Sequence, residues 1–310
     1  MELVNVSVII PTYNRSNLIA ETLDSVLSQS FSPLEVIVID DGSTDGTEEV
    51  VRRYGYHVSY IRIDNMGECR ARNVGAAMAA GNWIAFCDSD DLWHSEKLAY
   101  QATLALENPD VEYSFTNFKH VVDGTWSATT KFDSLPADFW NISLRKSGHH
   151  RLVILEPLVS KLLKNQPIFP STLMMKQSFF SASGGWNEAL GRTPSVDLEY
   201  HLRCASSCHI GVVDKPLVGI RKHISNFSGD PLKTAVGEIA ILKFVLANNI
   251  DAAKYHDEIL EQIVVRSERA AHHAFARQDH SLAYRLLENV PSPRRSFKLR
   301  VKTLLAHLTP

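Results

Sequence analysis

A short apolar run that ends abruptly in acidic residues is the feature that most constrains the fold of this chain. Residues 83–87 (WIAFC) are followed at once by the segment 88–91 (DSDD). A run this apolar indicates a strand covered on both faces, as in parallel sheets. In open α/β sheets, ligands bind at the carboxyl ends of such strands. The sequence therefore predicts a ligand site at the carboxyl edge of a buried sheet.

Alternating strand and helix signals around this run predict the fold class. Strands are predicted at 6–10, 35–39, 58–63, 83–87 and 111–118, and helices at 16–30, 47–54, 68–80 and 95–108. Ser16 is expected to cap the first helix, and Gly81 is expected to close the third. This alternation is typical of an α/β fold in which a mostly parallel sheet is flanked by helices.

The rest of the chain predicts a division into two parts. Residues 123–166 lack a clean period, and we expect loops with helical pieces over the active-site face. From residue 231 the pattern becomes helical. We predict one domain over 1–230, with a first half over 1–118 and a second half over 119–230. A helical C-terminal extension follows over 231–310.

Composition and charge narrow the class of protein. The 310 residues are 45% hydrophobic, which is enough to bury a full core. A net charge of -3 gives no general attraction to nucleic acid. No run reaches the roughly 18 to 20 apolar residues of a membrane-spanning helix, and the start lacks a secretory signal pattern. We therefore expect a cytoplasmic protein whose cysteines are reduced.

Four ordered segments within the first ninety-one residues carry a family resemblance. They are 6–15 (VSVIIPTYNR), 36–45 (VIVIDDGSTD), 70–75 (RARNVG) and 84–91 (IAFCDSDD). With these motifs the chain resembles a family 2 glycosyltransferase of the GT-A fold, and weaker similarity continues to about residue 228. The resemblance implies transfer of a sugar from a nucleotide-diphospho-sugar, UDP being favoured, with inversion of the anomeric carbon. It makes 1–230 the catalytic domain, with a nucleotide-binding half over 1–118 and an acceptor half over 119–230.

The acidic segment 88–91 fits the charge problem of that reaction. The leaving diphosphate gains negative charge as the glycosidic bond breaks, and Mg²⁺ or Mn²⁺ bound by carboxylates can offset it. The resemblance identifies this segment as the DxD motif, with Asp90 as the direct metal ligand. Asp88 is expected at the metal or the ribose, and Ser89 at the nucleotide-sugar. A solvated turn before the next helix is the structural alternative.

The resemblance also assigns the nucleotide site. It places Asp41 against the uracil ring, Tyr13 near the base, and Pro11 and Thr12 along the pocket. The fixed charge and forked donors of Arg72 suit the uridine or the phosphates. Ordinary turn chemistry for Asp41 and a solvated helix face for Arg72 are the alternatives.

The acceptor hydroxyl must lose a proton as its oxygen attacks, which requires a base. Residues 196–203 (VDLEYHLR) resemble the family's base-bearing helix, and Asp197 aligns with the catalytic base. Glu199 preserves a carboxylate expected near the acceptor. Val196 departs from the family pattern, which has an acid there. An acid at a helix start, favoured by the helix dipole, is the alternative for Asp197.

Two further segments flank this helix. Residues 184–188 (GGWNE) resemble the turn that precedes it, and Trp186 is either a wall against the acceptor sugar or a structural tryptophan. Residues 221–228 resemble a loop that closes over the diphosphate. There His223 is predicted to complete the metal shell, or the basic pair before it to meet phosphate.

The sequence also admits other interpretations. His201, Cys204, Cys208 and His209 lack the paired Cys-x-x-Cys units of a zinc site, so buried thiols are the better interpretation. A sugar-phosphate nucleotidyltransferase would need a Gly-rich loop after the first strand, where 11–15 (PTYNR) has no glycine. A non-catalytic sugar-nucleotide-binding protein remains the alternative from another functional class.

The tail 291–310 is basic and amphipathic. Its cations and apolar residues alternate without an acid, which is typical of a segment that lies on an anionic membrane surface. We expect a peripheral contact with the inner face of the membrane near a lipid-linked acceptor, or else an ordinary terminal helix.

Overall fold

The computed structural model describes residues 3–206, 209–223, 229–248, 250–295 and 299–301. The strands are β1 Val6–Thr12, β2 Glu35–Asp40, β3 Ser59–Arg62, β4 Trp83–Phe86, β5 Leu92–Trp93, β6 Val111–Val122, β7 Thr125–Trp126, β8 Leu144–Lys146, β9 Arg151–Ile154, β10 Leu173–Lys176 and β11 His209–Lys222. The helices are α1 Ile19–Leu27, α2 Thr47–Arg52, α3 Glu68–Met78, α4 Lys97–Glu107, α5 Val159–Lys164, α6 Gln177–Ala182, α7 Asp197–Cys204, α8 Pro231–Asn248, α9 His256–Ala276 and α10 His280–Leu287.

One mixed sheet organises the first part of the chain. Its strand order is β3-β2-β1-β4-β10-β6-β11-β9-β8, with β5 paired to β11 and β7 paired to β6. The strands β1 to β4 run parallel, as predicted. Parallel pairing does not extend across the whole sheet, because β10 lies antiparallel between β4 and β6. The predicted α/β class with a helical C-terminal region is confirmed.

The central strand is buried on both faces, which explains its nearly continuous apolar sequence. Val8 and Ile10 of β1 pack in a cluster with α1 and α4 residues on one face. On the other face, α3 approaches so closely that a Cβ at Gly75 would lie 2.5 Å from Ile9 Cγ2. A side chain at Gly75 would push α3 off the sheet.

Two helix boundaries differ from the sequence prediction. Ser16 does not cap α1, because its backbone N–H donates to the Asp45 carboxylate at 3.1 Å and the helix begins three residues later. Gly81 does not adopt the left-handed conformation of a helix cap. It lies against β1, where a Cβ would be 2.5 Å from the Asn5 carbonyl oxygen.

The middle of the chain contains more strand than its sequence indicated. The stretch 123–166 includes β7, β8 and β9 as well as α5, where loops with helical pieces were expected. Strand β6 continues to Val122 rather than ending at Phe118, because β11 pairs with it along its length. Short strands at a sheet edge are set by such pairing and carry little pattern of their own.

The chain divides into two compact units. The first comprises Met1–Arg192 and Tyr200–His223, and the second comprises Thr193–Glu199 and Ile224–Pro310. The first unit contains the sheet. Of the described chain, no helix has both the length and the apolar character required to cross a bilayer.

The second unit is built on helices α8, α9 and α10. A buried ion pair joins α9 to α8, with Arg266 Nε 2.6 Å from Glu238 Oε2. Pro194 packs on α8 at Gly237, where a Cβ would lie 2.4 Å from the Pro194 carbonyl oxygen. Near the chain end, Arg294 pairs with Glu261 on α9. Much of the predicted membrane tail, 296–298 and 302–310, lies outside the described residues.

Candidate active site

Three loops meet at the carboxyl edge of the parallel strands. Thr12 of β1 is in register with Asp40 of β2, and Ile9 of β1 is in register with Phe86 of β4. The loops after β1, β2 and β4 therefore leave the sheet side by side. These loops carry the residues predicted to hold the donor, and we refer to the edge as the acidic rim, defined by Asp41, Asp88, Asp90 and Asp91.

Asp90 is contacted by two basic side chains. Its Oδ2 lies 3.2 Å from Arg15 Nε and 3.1 Å from His223 Nε2. Burial raises the pKa of the Asp90 carboxyl, but the hydrogen bond from His223 and the charge of Arg15 outweigh it, and the net pKa is lowered. The structure thus brings the predicted ligands Asp90 and His223 together, and it adds Arg15, to which the sequence assigned no role.

Asp88 turns to a different partner. Its Oδ1 lies 2.7 Å from Arg72 Nη2, and the Arg72 guanidinium stacks 4.7 Å from the ring of Trp186. Arg72 is buried, with only 4% of its side chain exposed. Its Nε and Nη1 lie in the interior without a hydrogen-bond partner. Arg72 therefore holds Asp88 from the protein interior and is not exposed at the surface.

Asp91 has a structural role that the sequence did not indicate. Its carboxylate accepts hydrogen bonds from Ser171 Oγ at 2.5 Å and from the Arg221 backbone N–H at 3.1 Å. Burial, followed by the charges of Asp90 and Asp88, raises its pKa well above the ordinary value. Ser171 Oγ also accepts from the Asp88 N–H at 2.9 Å, so one serine holds both ends of the acidic turn.

The two adjacent acids after β2 have different environments. Asp40 is a structural residue, since its carboxylate accepts from Tyr60 Oη at 2.6 Å and from the Ser43 N–H at 2.7 Å. Asp41 accepts from the Met66 and Gly67 backbone N–H groups at 2.7 and 2.9 Å. These two hydrogen bonds give Asp41 a fixed orientation at the rim, and its contact with the base stays a prediction.

The predicted base pocket has an open side at Tyr13. Its side chain is 42% exposed, whereas Pro11 and Thr12 are buried at the end of β1. The Arg192 guanidinium lies 5.9 Å from the Tyr13 ring, and its Nη2 is 3.6 Å from Asp41 Oδ2. In this conformation, Arg192 covers the place where Tyr13 and Asp41 were predicted to hold the base.

Asn14 joins the loops after β1 and β2. Its N–H donates to Ser43 Oγ at 2.9 Å, and its Oδ1 accepts from the Thr44 N–H at 2.8 Å. Asn14 adopts φ of 51°, a left-handed conformation that asparagine tolerates better than most residues. Next to it, the Arg15 N–H donates to Thr47 Oγ1 at 2.9 Å. These hydrogen bonds hold the loops after β1 and β2 against each other.

The turn 184–188 is anchored to α3 by Asn73. The Asn73 side chain accepts from the Trp186 N–H at 2.9 Å, donates to the Trp186 carbonyl at 2.8 Å, and donates to Glu188 Oε1 at 2.8 Å. Gly184 and Gly185 take φ of 80° and 66°, which permits the sharp turn. Asn73 belongs to the 70–75 motif, so this contact explains a motif residue that the sequence left without a function.

Trp186 is a buried tryptophan, 1% exposed. It stacks on Tyr200 with ring centroids 4.4 Å apart, and it meets the edge of Phe86 at 5.6 Å. This placement favours the structural alternative over contact with an acceptor sugar. Ser89, also predicted at the nucleotide, is 5% exposed, and its carbonyl accepts from Thr22 Oγ1 at 3.0 Å.

Helix α7 begins at Asp197, as the predicted base-bearing helix requires. Asp197 and Glu199 fall in the second compact unit, and Glu199 is buried at 6% exposure. Further along α7, His201 Nδ1 is 2.8 Å from Tyr113 Oη, and burial together with the charge of Arg72 lowers the His201 pKa to about 3. The role of Asp197 as base stays a prediction.

The histidines and cysteines considered for a zinc site do not form a common cluster in the described part of the chain. Cys204 is buried and reduced, and His209 Nδ1 lies 2.8 Å from Asp110 Oδ2. Cys208 lies outside the described residues. Within the described ranges, no three side chains of the His, Cys, Asp or Glu types are arranged to hold a metal ion by themselves.

The comparison with protein families decides how this geometry is to be understood. The profile described as Glycosyl transferase family 2 matches residues 7–163, which is half of the chain and includes the whole acidic rim. The chain belongs to glycosyl transferase family 2. The resemblance drawn from the four motifs is confirmed.

Family 2 relatives match the chain over different lengths. An uncharacterised glycosyltransferase of Rickettsia felis is 32% identical over 245 residues, covering 78% of this chain and 37% of that protein. The putative teichuronic acid biosynthesis glycosyltransferase TuaG of Bacillus subtilis is 40% identical over 126 residues, covering 39% of this chain and 49% of that protein. The chain thus spans half or less of the length of these relatives.

Two solved structures share the fold. S. aureus TarS 1–349 in complex with UDP-GlcNAc has a TM-score of 0.67 at 20% identity, covering 98% of this chain and 89% of that chain. The mannosyltransferase PcManGT of Pyrobaculum calidifontis in complex with GDP-Man and Mn²⁺ has a TM-score of 0.57 at 19% identity, covering 99% and 87%. These similarities confirm the GT-A fold class.

Proposed function

We propose that this family 2 chain transfers a sugar from a nucleotide-diphospho-sugar, with UDP as the favoured nucleotide, to a saccharide or lipid-linked acceptor with inversion. The observation that carries the proposal is the convergence of the loops after β1, β2 and β4 at the acidic rim. TarS, which shares the fold, was solved with UDP-GlcNAc, and PcManGT with GDP-Man. A sugar nucleotide is therefore a ligand that this fold accepts.

The donor end of the site would use Asp41 and Tyr13. Asp41 is held by two backbone N–H groups, and a carboxylate with further lone pairs can still accept a hydrogen bond from a uracil N–H. Tyr13 presents an exposed ring for the base to lie against. Arg192 would have to move aside, and its exposed side chain has room to do so.

A divalent cation, Mn²⁺ or Mg²⁺, fits the rim as a ligand shared with the donor. Asp90 and His223 are the residues that would hold it, with Asp88 close by in sequence but paired to Arg72. Mg²⁺ is usually bound by one or two carboxylates plus substrate phosphates and water, so a preformed cage of three side chains is not required. When bound, the ion supplies positive charge that stabilises the leaving diphosphate.

The acceptor end of the proposal assigns the proton to Asp197. As the acceptor oxygen attacks the anomeric carbon, its proton passes to the Asp197 carboxylate while the sugar–phosphate bond breaks on the opposite side. Asp197 lies in the first turn of α7. Glu199 is the second acid of the same turn.

We also propose a pathway class for the enzyme. The relative TuaG is described as a teichuronic acid biosynthesis protein, so synthesis of a cell-surface polysaccharide is the expected pathway class. Residues 291–310 would give the enzyme a peripheral contact with an anionic membrane surface, close to a lipid-linked acceptor. Co-sedimentation with anionic vesicles, with and without this segment, tests that contact.

The proposed function is tested by donor turnover. A thermal-shift panel of nucleotide-diphospho-sugars with and without Mn²⁺ first identifies the donor, since a ligand of the native state raises Tm. Hydrolysis or transfer is then compared between wild type and Asp197→Asn. The variant should bind UDP normally but turn over at least ~10²-fold more slowly, the scale of a lost general base.

A substitution of Asp90 tests the metal assignment. Asp90→Ala should abolish the part of UDP affinity that depends on Mn²⁺. If wild type binds UDP without any contribution from Mn²⁺, the metal proposal fails. If no nucleotide-diphospho-sugar binds or turns over, the transferase proposal fails as a whole.

A further inference from the structure

Three basic side chains gather where β6 and β11 end, next to the acidic rim. His120 of β6 is in register with Ile220 of β11, and Val122 is in register with Lys222. Lys131 reaches the same place because its backbone N–H donates to the Phe118 carbonyl of β6 at 2.8 Å. We call His120, Lys131 and Lys222 the basic cluster. All three are half-buried.

The members of the basic cluster repel one another. Burial and the charge of Lys222 lower the pKa of Lys131. Burial followed by the charges of Lys222 and Lys131 lowers the pKa of His120. In the described part of the chain, neither lysine forms an ion pair with a carboxylate, and Nδ1 of His120 is buried without a hydrogen-bond partner. Packing basic groups together disfavours their charged forms, and a bound anion would offset this repulsion.

The nearby carboxylates do not neutralise the basic cluster. Asp90 is taken by Arg15 and His223, and Asp88 is taken by Arg72. Asp133, close in sequence to Lys131, accepts from the Thr130 N–H and feels the charge of Lys119. Asp90 and Asp88 of the acidic rim are therefore paired with other side chains, and within the described residues they do not pair with Lys131 or Lys222.

The position of the basic cluster relates it to the reaction. Lys222 directly precedes His223, whose Nε2 lies 3.1 Å from Asp90. Adjacent Cα atoms are about 3.8 Å apart, so Lys222 stands at the border of the rim. The base-binding residues Asp41 and Tyr13 follow β2 and β1, which lie three or more strands away from β6 in the sheet.

We propose that the basic cluster binds an anionic group, a carboxylate or phosphate, carried by the acceptor saccharide. This inference rests on the proposed transferase function and names its acceptor class. Lysines suit such a role because each ammonium offers three donors to a carboxylate or phosphate. The cluster then holds the acceptor by its charge beside the site where the sugar is transferred.

The test compares a tetrasaccharide of glucuronic acid with a neutral glucose tetrasaccharide of equal length. Binding to the full chain is measured by calorimetry at low salt, first without nucleotide and then with UDP and Mn²⁺ at saturation. Variants are Lys131→Gln with Lys222→Gln, the charge-preserving pair Lys131→Arg with Lys222→Arg, and the exposed control Lys164→Gln. Thermal unfolding checks that each variant is folded.

The wild-type protein should bind the charged tetrasaccharide in both conditions. A lost charged hydrogen bond is worth about tenfold in affinity, so the Gln pair should bind at least about tenfold more weakly. The Arg pair and Lys164→Gln should bind as wild type does, and the neutral tetrasaccharide should not distinguish the variants. Because the first measurement omits UDP, a failure of UDP binding would count against the transferase proposal alone.

Three results would overturn the inference. The Gln pair could bind the charged tetrasaccharide as tightly as wild type. UDP could displace the tetrasaccharide competitively, which would assign the lysines to the donor diphosphate. The wild-type protein could bind phosphatidylglycerol vesicles but no soluble anion, which would make the basic cluster a lipid-binding surface instead.

Discussion

Arg15 and His223 share a single oxygen of Asp90, at 3.2 and 3.1 Å. The same carboxylate is the proposed metal ligand, so an incoming cation has to compete with the positive charge of Arg15. Arg15 is the better competitor of the two, because guanidinium stays charged at all working pH values. Metal affinity is therefore expected to depend on a residue that binds no metal.

The first prediction follows from this competition. Arg15→Gln should raise the affinity for Mn²⁺ in the absence of nucleotide by about tenfold, the worth of one charged hydrogen bond. Titration of free Mn²⁺ by electron paramagnetic resonance measures the effect. Arg53→Gln, at an exposed position on the end of α2, is the matched control. An unchanged or weaker Mn²⁺ affinity would show that Arg15 does not compete.

The second prediction concerns Asn73. Asn73→Ala removes three hydrogen bonds to the turn 184–188 and leaves backbone groups of Trp186 without partners. We expect a loss of about 2 kcal/mol in the free energy of unfolding, measured by urea titration. The exposed Asn141→Ala should change stability by less than about 0.5 kcal/mol. Equal effects of the two variants would contradict the anchoring role.

The third prediction separates the two interpretations of Trp186. Trp186→Ala should destabilise the protein by about 3–5 kcal/mol, as expected for a buried aromatic. Trp126→Ala, whose side chain is 38% exposed, should cost about 1 kcal/mol or less. If Trp186→Ala unfolds like wild type but loses acceptor affinity, the tryptophan serves the acceptor after all.

The fourth prediction uses the buried lysine of α4. Lys97 has no exposed surface, its Nζ lies 3.7 Å from the Trp93 ring centroid, and burial lowers its pKa to about 7. In the unfolded chain its pKa is about 10.4. Between pH 7 and 9 the unfolded state therefore binds more protons at Lys97 than the folded state does. The free energy of unfolding should rise by about 2 kcal/mol as the pH is raised from 7 to 9.

Urea unfolding at pH 7 and 9 checks this linkage. Lys97→Met keeps the apolar stem, removes the titrating amine, and should flatten the dependence on pH. Lys164→Met, at an exposed position of α5, should retain the wild-type dependence. The interpretation fails if Lys97→Met and wild type gain the same stability between the two pH values.

The features that the sequence predicted correctly are those with strong local signals. Strands β1, β2 and β4 are apolar on both faces, and the helices between them have clear periodicity, so both the alternation and the acidic rim could be foreseen. Strands β8 and β9 contain only three and four residues, and β8 forms the edge of the sheet. They owe their structure to pairing with distant partners, which no local pattern records.

The side-chain contacts of the site were less predictable for the same reason. Asn73 and Trp186 are 113 positions apart in the chain, and Arg15 and Asp90 are 75 apart. A motif identifies such residues without saying what they touch. The burial of Trp186 and the pairing of Asp88 with Arg72 depend on how α3 and the turn 184–188 pack, which only the folded chain determines.

The cross-links that Asn14 makes between the loops after β1 and β2 have a consequence for engineering. Asn14 bonds to Ser43 and Thr44, and Ser16 bonds to Asp45. A graft of one loop from a relative, made to change the donor, would leave polar atoms on the other loop unmatched. A change of donor preference in this chain therefore requires both loops to be replaced together.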